Sequence, residues 1–535
     1  MNPNLMLQGN QQEYLDKVIS QFRKLTRLNH VEYELKKRSE GDYLIIYLGN
    51  PTNRFFGLLQ QSLDTLSEEN PYKYRTTIKK RASNSNNRLQ LPETQLLRTV
   101  LSESLTATQH TFADDFFTRY IRSVSGDEEQ IVGQSNHIVY GRRGAGKSSL
   151  LAYLMHTIRQ SNSPYAWVNI QTYSGRNDIG AVAEVLIDVT NQLQPYASNQ
   201  PDFETFLPNL DAVIDKNEEE SIKYLNRLIP RIRRAFGKIA SQYGNVFVFL
   251  DDIHVVSETL QPILLDKLYS ICRGNQIFLK ISGIEQFVKL RDSSSRQGLE
   301  TPGDIQVIKL DYNLTMPDKS KRHIEEILNS HAVYCALPSV GYICGDGVID
   351  RLVWVSAGVP RDALYLFSQA ISESSVKDQK RVSVSSVNAS ASEMTDEKLR
   401  DIKIDASGKD GEINKILNSI REFCVTEKRR NVFLVEIQNE DSTYHKVEEL
   451  IALRLLHILN AGTTPSEVGR RYMALMLDYG FYVGTRTARS VTLFSEEPKP
   501  LLAKDVRSFP IFQLPLARGS DGDNRSNKKT SRKKG

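Results

Sequence analysis

Apolar and polar positions follow two different periods along the chain, and their order predicts separate regions. Between about residues 111 and 312, short apolar runs alternate with longer segments of helical periodicity, such as 180–193 and 219–242. Strands that alternate with helices form parallel sheets covered on both faces, so this region is predicted to be an α/β domain with mainly parallel strands. The predicted strands are residues 137–140, 165–170, 245–250, 276–282 and 305–310.

The flanking regions have other patterns. Residues 1–110 are predicted to form a small α+β region with a strand hairpin near Gly41 and an amphipathic helix after it. Residues 72–88 carry six basic residues and no acidic one, which fits either a solvated loop or a phosphate contact. The remaining chain is predicted to divide into an all-helical region, a third unit and a polar tail, with bounds at 313–404, 405–495 and 496–535.

The most specific motif follows the first predicted strand of the α/β region. Residues 141–148 read GRRGAGKS, a full match to the pattern GxxxxGK[ST], and a helical segment begins directly after it. Glycines let the backbone turn tightly and bring its N–H groups against phosphate oxygens. The residues predicted to hold nucleotide here are Gly141, Arg142, Arg143, Gly144, Ala145, Gly146, Lys147, Ser148 and Ser149, with Lys147 facing the β- and γ-phosphates and Ser148 ligating Mg²⁺.

Two carboxylates end another buried strand of the same region. The apolar run 245–250 is followed by Asp251 and Asp252. A carboxylate at the carboxyl end of a central strand lies beside the phosphate loop in this kind of sheet. Asp251 is therefore predicted to bind Mg²⁺ through water, and Asp252 to orient or deprotonate the attacking water. ATP and Mg²⁺ are the predicted substrate and cofactor.

With these motifs the chain resembles AAA+ P-loop ATPases, and among them the origin-recognition and replication-initiator clade. The resemblance covers about residues 111–495 and implies a P-loop NTPase sheet with a helical lid. It implies that Ser282 senses the γ-phosphate and takes part in catalysis, and that Arg361 of the lid contacts the nucleotide. It also leaves Arg296 as a weak candidate for an arginine finger. The Asp-Asp pair is more similar to STAND signalling ATPases.

The third unit is predicted to be a winged helix-turn-helix. Residues 445–462 and 463–480 have helical spacing, and residues 481–494 alternate like a hairpin. Candidate DNA contacts are Arg470 and Arg471 on the second helix, with Arg486 and Arg489 on the hairpin. A winged helix that makes only protein contacts is the alternative.

Net charge and cysteine content indicate which kinds of partner and which cellular compartment to expect. The formal net charge is +5, and the last twenty residues alone carry seven Lys/Arg and two Asp, so the remaining chain balances at 62 basic and 62 acidic residues. A basic polar tail favours contact with a polyanion, or it only increases solubility. The four cysteines form no CxxC pair, and neither a secretory signal nor a membrane span is visible. A cytoplasmic location and no membrane partner are expected.

Two classes of function remain open at this stage. The first is an ATPase that couples its nucleotide state to DNA binding or to assembly of a nucleic-acid complex, with a homo-oligomer or a partner protein joining in the ATP state. The second is a STAND-like regulatory or defence switch that acts through protein partners, with slow ATP turnover. DNA-stimulated hydrolysis separates the two classes.

Overall fold

The computed structural model describes most of the chain, and the described ranges are 3–82, 87–106, 114–123, 125–176, 178–197, 202–214, 216–310, 314–405, 410–438, 441–465, 470–483, 491–492 and 497–514. Two compact units are present. The first comprises Met1–Met394 with Ser495–Pro500, and the second comprises Thr395–Phe494 and the chain from Leu501 onward. The regions predicted separately over 1–110, 111–312 and most of 313–404 therefore belong to one compact unit.

The N-terminal part of the first unit is a three-stranded sheet with helices on it. The order is β1-β2-β3, with β1 antiparallel and β3 parallel to β2. The basic run 72–88, for which either a solvated loop or a phosphate contact is predicted, contains strand β3, which pairs with β2 along its full length. The elements are α1 (Pro3–Thr26), β1 (Glu32–Arg38), β2 (Gly41–Leu48), α2 (Asn53–Asp64), β3 (Thr76–Lys80) and α3 (Pro92–Glu103).

A five-stranded, all-parallel sheet forms the centre of the first unit. Its order is β5-β6-β7-β4-β8, and all five predicted strands are present. The elements are α4 (Asp114–Phe117), α5 (Asp127–Ile131), β4 (His137–Tyr140), α6 (Lys147–Gln160), β5 (Tyr165–Asn169), α7 (Ile179–Leu193), α8 (Asp202–Ile214), α9 (Glu218–Tyr243), β6 (Val246–Asp251), α10 (Leu260–Cys272), β7 (Ile277–Gly283) and β8 (Gln306–Lys309).

Helices cover both faces of this sheet and bury its strands. One hydrophobic cluster joins the sheet to α7, α8, α9 and α10, and a second joins the opposite face to α6. Strands buried on both faces read as continuous apolar runs, which is why the sequence identifies them so clearly. A parallel sheet with a GxxxxGK[ST] loop between its strand β4 and helix α6 is a P-loop NTPase fold, as predicted.

Four helices follow the sheet, as predicted for the helical region. They are α11 (Pro317–Tyr334), α12 (Val348–Val355), α13 (Pro360–Val376) and α14 (Val384–Asp405). Helix α3 of the N-terminal region packs against α13 and α11. The hydroxyls of Ser102 and Ser368 lie 3.0 Å apart across the α3–α13 contact. The N-terminal region is thereby fixed to the helical lid.

The second unit differs from the prediction in its elements. Its sheet has the order β10-β11-β9-β12. Helix α15 continues into a π-helical turn (Glu422–Glu427) before the sheet begins. The elements are α15 (Asp410–Arg421), β9 (Val432–Glu436), α16 (Ser442–Ala452), β10 (Leu456–Thr463), β11 (Tyr472–Leu477), α17 (Ala503–Arg507) and β12 (Ile511–Phe512).

The predicted helix 445–462 is wrong in its second half, where strand β10 is found. Helix α16 ends because Arg454 adopts a left-handed conformation with φ 62°. Its N–H bonds the carbonyl of Ile451 at 3.0 Å, and the N–H of Leu455 bonds the carbonyl of Leu450 at 3.0 Å. These two bonds form a Schellman motif, which usually has glycine at the position of Arg454. An arginine there gives no stop signal in the sequence.

The predicted helix 463–480 is also wrong, because residues 472–477 form strand β11. This strand lies between β9 and β10 and pairs antiparallel with both. Nearly all of its side chains are buried, on both faces of the sheet, and the sequence YMALML therefore does not alternate. A short continuous apolar run is compatible with either a helix or a buried strand. The hairpin predicted over 481–494 lies mostly outside the described residues.

The second unit contains a buried carboxylate that is paired with three side chains of the same unit. Asp478 follows β11 and accepts hydrogen bonds from Lys398 Nζ at 2.9 Å and Thr395 Oγ1 at 2.7 Å. His457 Nε2 lies 3.0 Å from the same carboxylate. Buried charges are tolerated only when they are paired in this way.

Among the described residues, no helix is long and apolar enough to span a membrane.

Candidate nucleotide-binding site

The phosphate loop lies between strand β4 and helix α6, as its motif predicts. Gly144 and Gly146 have φ values of 85° and 97°, in the region that favours glycine, and α6 begins at Lys147 directly after them. At Gly144 the requirement is also steric, since an added Cβ would lie 2.9 Å from Arg361 Cβ. The N–H groups at the start of α6 are available for an anion, as at other helix N-termini.

Asp251 is positioned by two hydroxyls that converge on one of its oxygens. Ser282 Oγ donates to Asp251 Oδ1 at 2.6 Å, and Ser148 Oγ donates to the same oxygen at 3.1 Å. Ser282 Oγ also accepts the N–H of Asp252 at 2.8 Å. Strand β7, which carries Ser282, lies between β6 and β4, so the sheet order brings these three residues together.

Ser282 lies near the carboxyl end of β7, on the strand next to the one that carries Asp251. Its side chain is fully buried and is absent from the residues that line the cavity. It contacts Asp251 directly, and Asp251 is likewise not among the residues that line the cavity. The structure therefore supports a role for Ser282 in orienting Asp251, and its contact with a γ-phosphate stays a prediction.

Burial shifts the ionisation of the two central charged groups. The pKa of Asp251 is raised to about 6, because the carboxyl is buried and lies beside the negative charge of Asp252. The pKa of Lys147 is lowered by burial, although Asp252 and Asp251 favour its charged form. Both effects come from a site that excludes water, where an added phosphate or cation interacts strongly with its neighbours.

Asp252 differs from Asp251 in two ways, because its backbone is left-handed and its side chain lines the cavity. Its φ is 61° and its ψ is 51°. Lys147 Nζ lies 3.6 Å from Asp252 Oδ1, and His254 Nδ1 lies 3.8 Å from the same atom. Asp252 thus reaches the cavity where the phosphate loop and the 3₁₀ turn after β6 meet.

The helical lid contributes one predicted arginine to the cavity. Arg361 lies in the first turn of α13, its N–H donates to Gly144 O at 3.3 Å, and its side chain lines the cavity. Arg142 of the phosphate loop donates to Ala357 O at 3.1 Å. These two hydrogen bonds join the lid to the phosphate loop.

The cavity beside the loop has a volume of about 360 Å³. Such volumes fall in the roughly 300–1,000 Å³ range of ligand pockets. Helix α11 and the segment before β4 both contribute to its lining, and some of these side chains are aromatic. The lining includes the apolar and aromatic residues Leu105, Phe116, Tyr120, Ile327 and Leu364, together with the polar residues Arg119, Glu128, His323 and His331.

Several residues of the cavity were not predicted from the sequence. His254 follows Asp252 by two positions and could have been noticed from the motif. Ser104 and Leu105 belong to the N-terminal region, yet they line the cavity. Ser104 Oγ lies 3.2 Å from His331 Nε2 and accepts from Arg119 Nη1 at 3.0 Å. No spacing in the sequence joins residues so far apart along the chain.

Two of the predicted DNA-binding arginines are not on the helix where they are expected. Arg470 and Arg471 immediately precede β11 and are exposed at the loop end of the β10–β11 hairpin. Arg470 Nη1 lies 3.7 Å from Glu436 Oε2. Arg486, Arg489 and the tail 516–535 lie outside the described residues. Arg296 is exposed in a loop with φ 58° and is not among the residues lining the cavity.

The residues present fit a nucleotide with a magnesium ion. The loop offers backbone N–H groups and Lys147 for phosphate oxygens, and only glycine fits at Gly144. Ser148 Oγ and Asp251 Oδ1 lie 3.1 Å apart and are oxygen donors of the type that Mg²⁺ binds together with waters.

Comparisons with known proteins give only distant similarity. No family model matches the chain, and no curated protein matches it. A Walker-type ATPase of Pyrococcus abyssi is similar with a TM-score of 0.38 and 13% identity, over 70% of this chain and 99% of that one. Drosophila ORC bound to DNA gives 0.37 and 13%, over 79% and 97%. The Aeropyrum pernix ORC1 protein in complex with DNA gives 0.37 and 14%, over 71% and 93%. Similarities at this level do not establish a family or an activity.

Proposed function

We propose that this protein binds ATP with Mg²⁺ in the cavity beside the phosphate loop and hydrolyses it slowly. The observation that carries the proposal is the convergence of the phosphate loop, Lys147, Ser148 and the carboxylates of Asp251 and Asp252 at one edge of the parallel sheet. P-loop ATPases stabilise the transferred phosphoryl group mainly by positioning and by electrostatics, and these residue types serve both purposes.

Binding would use both the backbone N–H groups of the phosphate loop and the positively charged side chains around it. Backbone N–H groups of Gly144 and of Gly146 to Ser148, at the amino end of α6, would hold the phosphate oxygens, while the N–H of Ala145 donates to Arg142 O at 3.1 Å. Lys147 would turn from Asp252 toward the β- and γ-phosphates, and Arg143 and Arg361 line the same cavity. The apolar and aromatic residues of the cavity lining, such as Phe116, Tyr120 and Ile327, would enclose the base.

Ser148 would hold Mg²⁺ directly and Asp251 through a water, and the ion would neutralise charge on the β- and γ-phosphate oxygens. The Ser282 hydroxyl keeps Asp251 Oδ1 directed at Ser148. Its role in this proposal is that of a positioning residue.

Hydrolysis would use Asp252 as the proton acceptor. The water oxygen bonds to the γ-phosphorus as the bond to the β,γ-bridging oxygen breaks, and the water proton passes to the Asp252 carboxylate. Aspartate reaches about one methylene less far than glutamate. Slow turnover, with ATP held for long periods, is therefore expected.

Isothermal titration with ATP tests the binding step. Lys147→Ala should weaken ATP binding at least about tenfold, because charge-assisted phosphate contacts contribute roughly 1.5–3 kcal/mol and 1.4 kcal/mol corresponds to a factor of ten. Lys309→Ala is the matched control, since Lys309 is half-exposed and pairs with Glu285 outside the cavity. Equal ATP affinity in wild type and Lys147→Ala, with Mg²⁺ present, would contradict the proposal.

We further propose that nucleotide state is coupled to DNA binding or to assembly with a second copy or a partner protein. The exposed pair Arg470 and Arg471 and the basic tail support the DNA part, because Lys and Arg contacts to phosphates supply most nonspecific affinity. The Asp-Asp pair supports a regulatory switch as the second candidate, because weak hydrolysis suits a protein that holds its nucleotide.

The rate of phosphate release with and without duplex DNA distinguishes these candidates. Stimulation by DNA supports the DNA-coupled ATPase. Unchanged turnover, together with a nucleotide-dependent change in size by light scattering, supports the switch that acts through protein partners.

A further inference from the structure

His254 lies beside the carboxylate that the proposed hydrolysis depends on. It occupies the 3₁₀ turn Ile253–Val255 directly after Asp252, and its side chain lines the cavity. Only 11% of the side chain is exposed. The Nδ1 atom is buried and makes no hydrogen bond to the residues that the structure describes. Leaving a buried polar atom without a partner costs free energy, so this arrangement suggests a partner in another state of the site.

The nearest carboxylate oxygen to this nitrogen is Asp252 Oδ1, at 3.8 Å. Lys147 Nζ lies 3.6 Å from the same oxygen. Both distances exceed that of a hydrogen bond. Lys147 cannot serve Asp252 and the phosphates of a bound nucleotide equally, because its single ammonium group is needed at the phosphates. When Lys147 turns to the phosphates, His254 is the group left to hold Asp252.

We propose that His254 is a positioning residue that orients Asp252 through a hydrogen bond from Nδ1–H to Oδ1 once nucleotide occupies the site. This inference rests on the proposed function. A relative movement of the imidazole and the carboxylate of about 0.6–1 Å brings the two atoms within hydrogen-bond distance. His254 neither gives nor takes a proton in the hydrolytic step, since the water proton goes to Asp252.

The imidazole is suited to this task because it stays neutral. Burial lowers the pKa of His254 to about 4, and the positive charges of Lys147 and Arg143 act in the same direction, while Asp252 opposes them. A neutral imidazole carries one N–H and one acceptor nitrogen, so one hydrogen bond to Asp252 fixes which nitrogen is protonated.

Two amide substitutions separate this role from simple packing. Asparagine carries its amide nitrogen at the position of the histidine Nδ1, whereas glutamine carries it near Nε2. His254→Asn should therefore keep kcat within about threefold of wild type. His254→Gln and His254→Ala should lower kcat roughly tenfold to a hundredfold, the value of a missing hydrogen bond to a charged group, with KM unchanged.

The experiment measures phosphate release from Mg²⁺-ATP by the full chain, with ATP affinity from titration and thermal unfolding for each variant. In an Asp252→Asn background, His254→Ala should cause no further loss, because the group it orients is already inactive. The inference is overturned if Gln and Ala turn over ATP at the wild-type rate, if Asn loses as much as Ala, or if the losses multiply in the double variant. If His254→Ala fails to fold, the comparison of Asn with Gln decides.

The outcomes also distinguish this inference from the proposed function. A wild type that does not bind ATP refutes the proposed function itself. A wild type that binds ATP without turning it over refutes the role of Asp252 and of His254, while ATP binding stands. Normal turnover in every His254 variant refutes only the inference about His254.

Discussion

The Ser282 hydroxyl donates a 2.6 Å hydrogen bond to Asp251 Oδ1 from a neighbouring strand of the parallel sheet. Because Ser148 Oγ donates to the same oxygen, one carboxylate atom joins the phosphate loop to two strands. Strand β7 thus contacts the proposed nucleotide site through Asp251. If Asp251 binds Mg²⁺ as proposed, Ser282 should influence the Mg²⁺ affinity of the site.

Ser282→Ala should weaken the Mg²⁺-dependent part of ATP binding and lower the free energy of unfolding by about 1–3 kcal/mol, since it removes a hydrogen bond from a buried carboxylate. Binding of ADP without Mg²⁺ should not change. Titrations with ATP and ADP, with and without Mg²⁺, and urea unfolding measure both effects. Asp251→Asn is the comparison that removes the charge itself, and it should abolish more of the Mg²⁺ dependence. A loss of ATP affinity without Mg²⁺ would instead indicate that Ser282 contacts the γ-phosphate.

Asp252→Asn should separate binding from hydrolysis. The amide keeps the shape of the side chain but cannot accept the water proton, so turnover should fall by roughly 10²–10⁴ while ATP affinity stays near that of wild type. Steady-state phosphate release and titration on the same preparation measure the two properties. Wild-type turnover in Asp252→Asn would mean that another group accepts the proton.

Stability should fall in mild acid because of buried histidines. Burial lowers the pKa of His323 and His331 to about 4, from 6.5 in an exposed imidazole. Between these values the unfolded chain binds protons that the folded chain does not bind, so the unfolding free energy decreases as pH falls from about 6.5 toward 4, by up to ~1.4 kcal/mol per pH unit for each histidine. Above pH 7 these groups should contribute no slope.

Urea unfolding of the full chain at pH 7.5, 6.0 and 5.0 measures this dependence. His331→Gln should reduce the slope between pH 6.5 and 5, because it removes one of the groups that titrate only on unfolding. An equal slope in wild type and in this variant would show that His331 is protonated in the folded protein.

DNA binding should divide into a tail contribution and a hairpin contribution. Deleting residues 516–535 removes a net charge of +5, so binding to all duplexes should weaken alike. The slope of log K against log[salt] should shrink by roughly 0.9 for each phosphate that the tail no longer neutralises. Fluorescence anisotropy across a salt series measures both the affinity and the slope.

Replacing Arg470 and Arg471 with alanine gives the hairpin contribution. Because these residues precede a strand and lie on no recognition helix, they are expected to bind the DNA backbone, and removing each guanidinium should lower the salt slope without changing sequence preference. Flattening of a sequence preference would indicate base contacts from the hairpin. No salt-dependent binding by wild type would remove DNA as a partner.

The phosphate-binding edge of the fold could be predicted from the sequence because its signals are local. Strands buried on both faces are continuous apolar runs, and the GxxxxGK[ST] pattern of residues 141–148 is complete within the loop itself. Asp251 and Asp252 were found for the same reason, since each follows directly on a recognisable strand. The order of the strands then brings the two motifs to one edge.

The helices predicted in the second unit are wrong for a different reason, because contacts beyond the local sequence determine its secondary structure. Helix α16 ends at a Schellman motif with Arg454 in the left-handed position, where local sequence favours continuation. Strand β11 is apolar throughout because the side chains on both of its faces are buried. Its period therefore carries no information about its conformation, and the pairing with β9 and β10 decides it.

Local sequence is sufficient to predict the phosphate loop, the two carboxylates and the strands that carry them, because each pattern is complete within a few residues. The folded structure was needed to show that Ser282 contacts Asp251, that His254 faces Asp252 Oδ1, and that Ser104 of the N-terminal region lies against His331 of the lid at the cavity. These contacts join residues from different strands, helices and turns. Their geometry follows from how the elements pack, since spacing along a chain does not fix distances between side chains on separate elements.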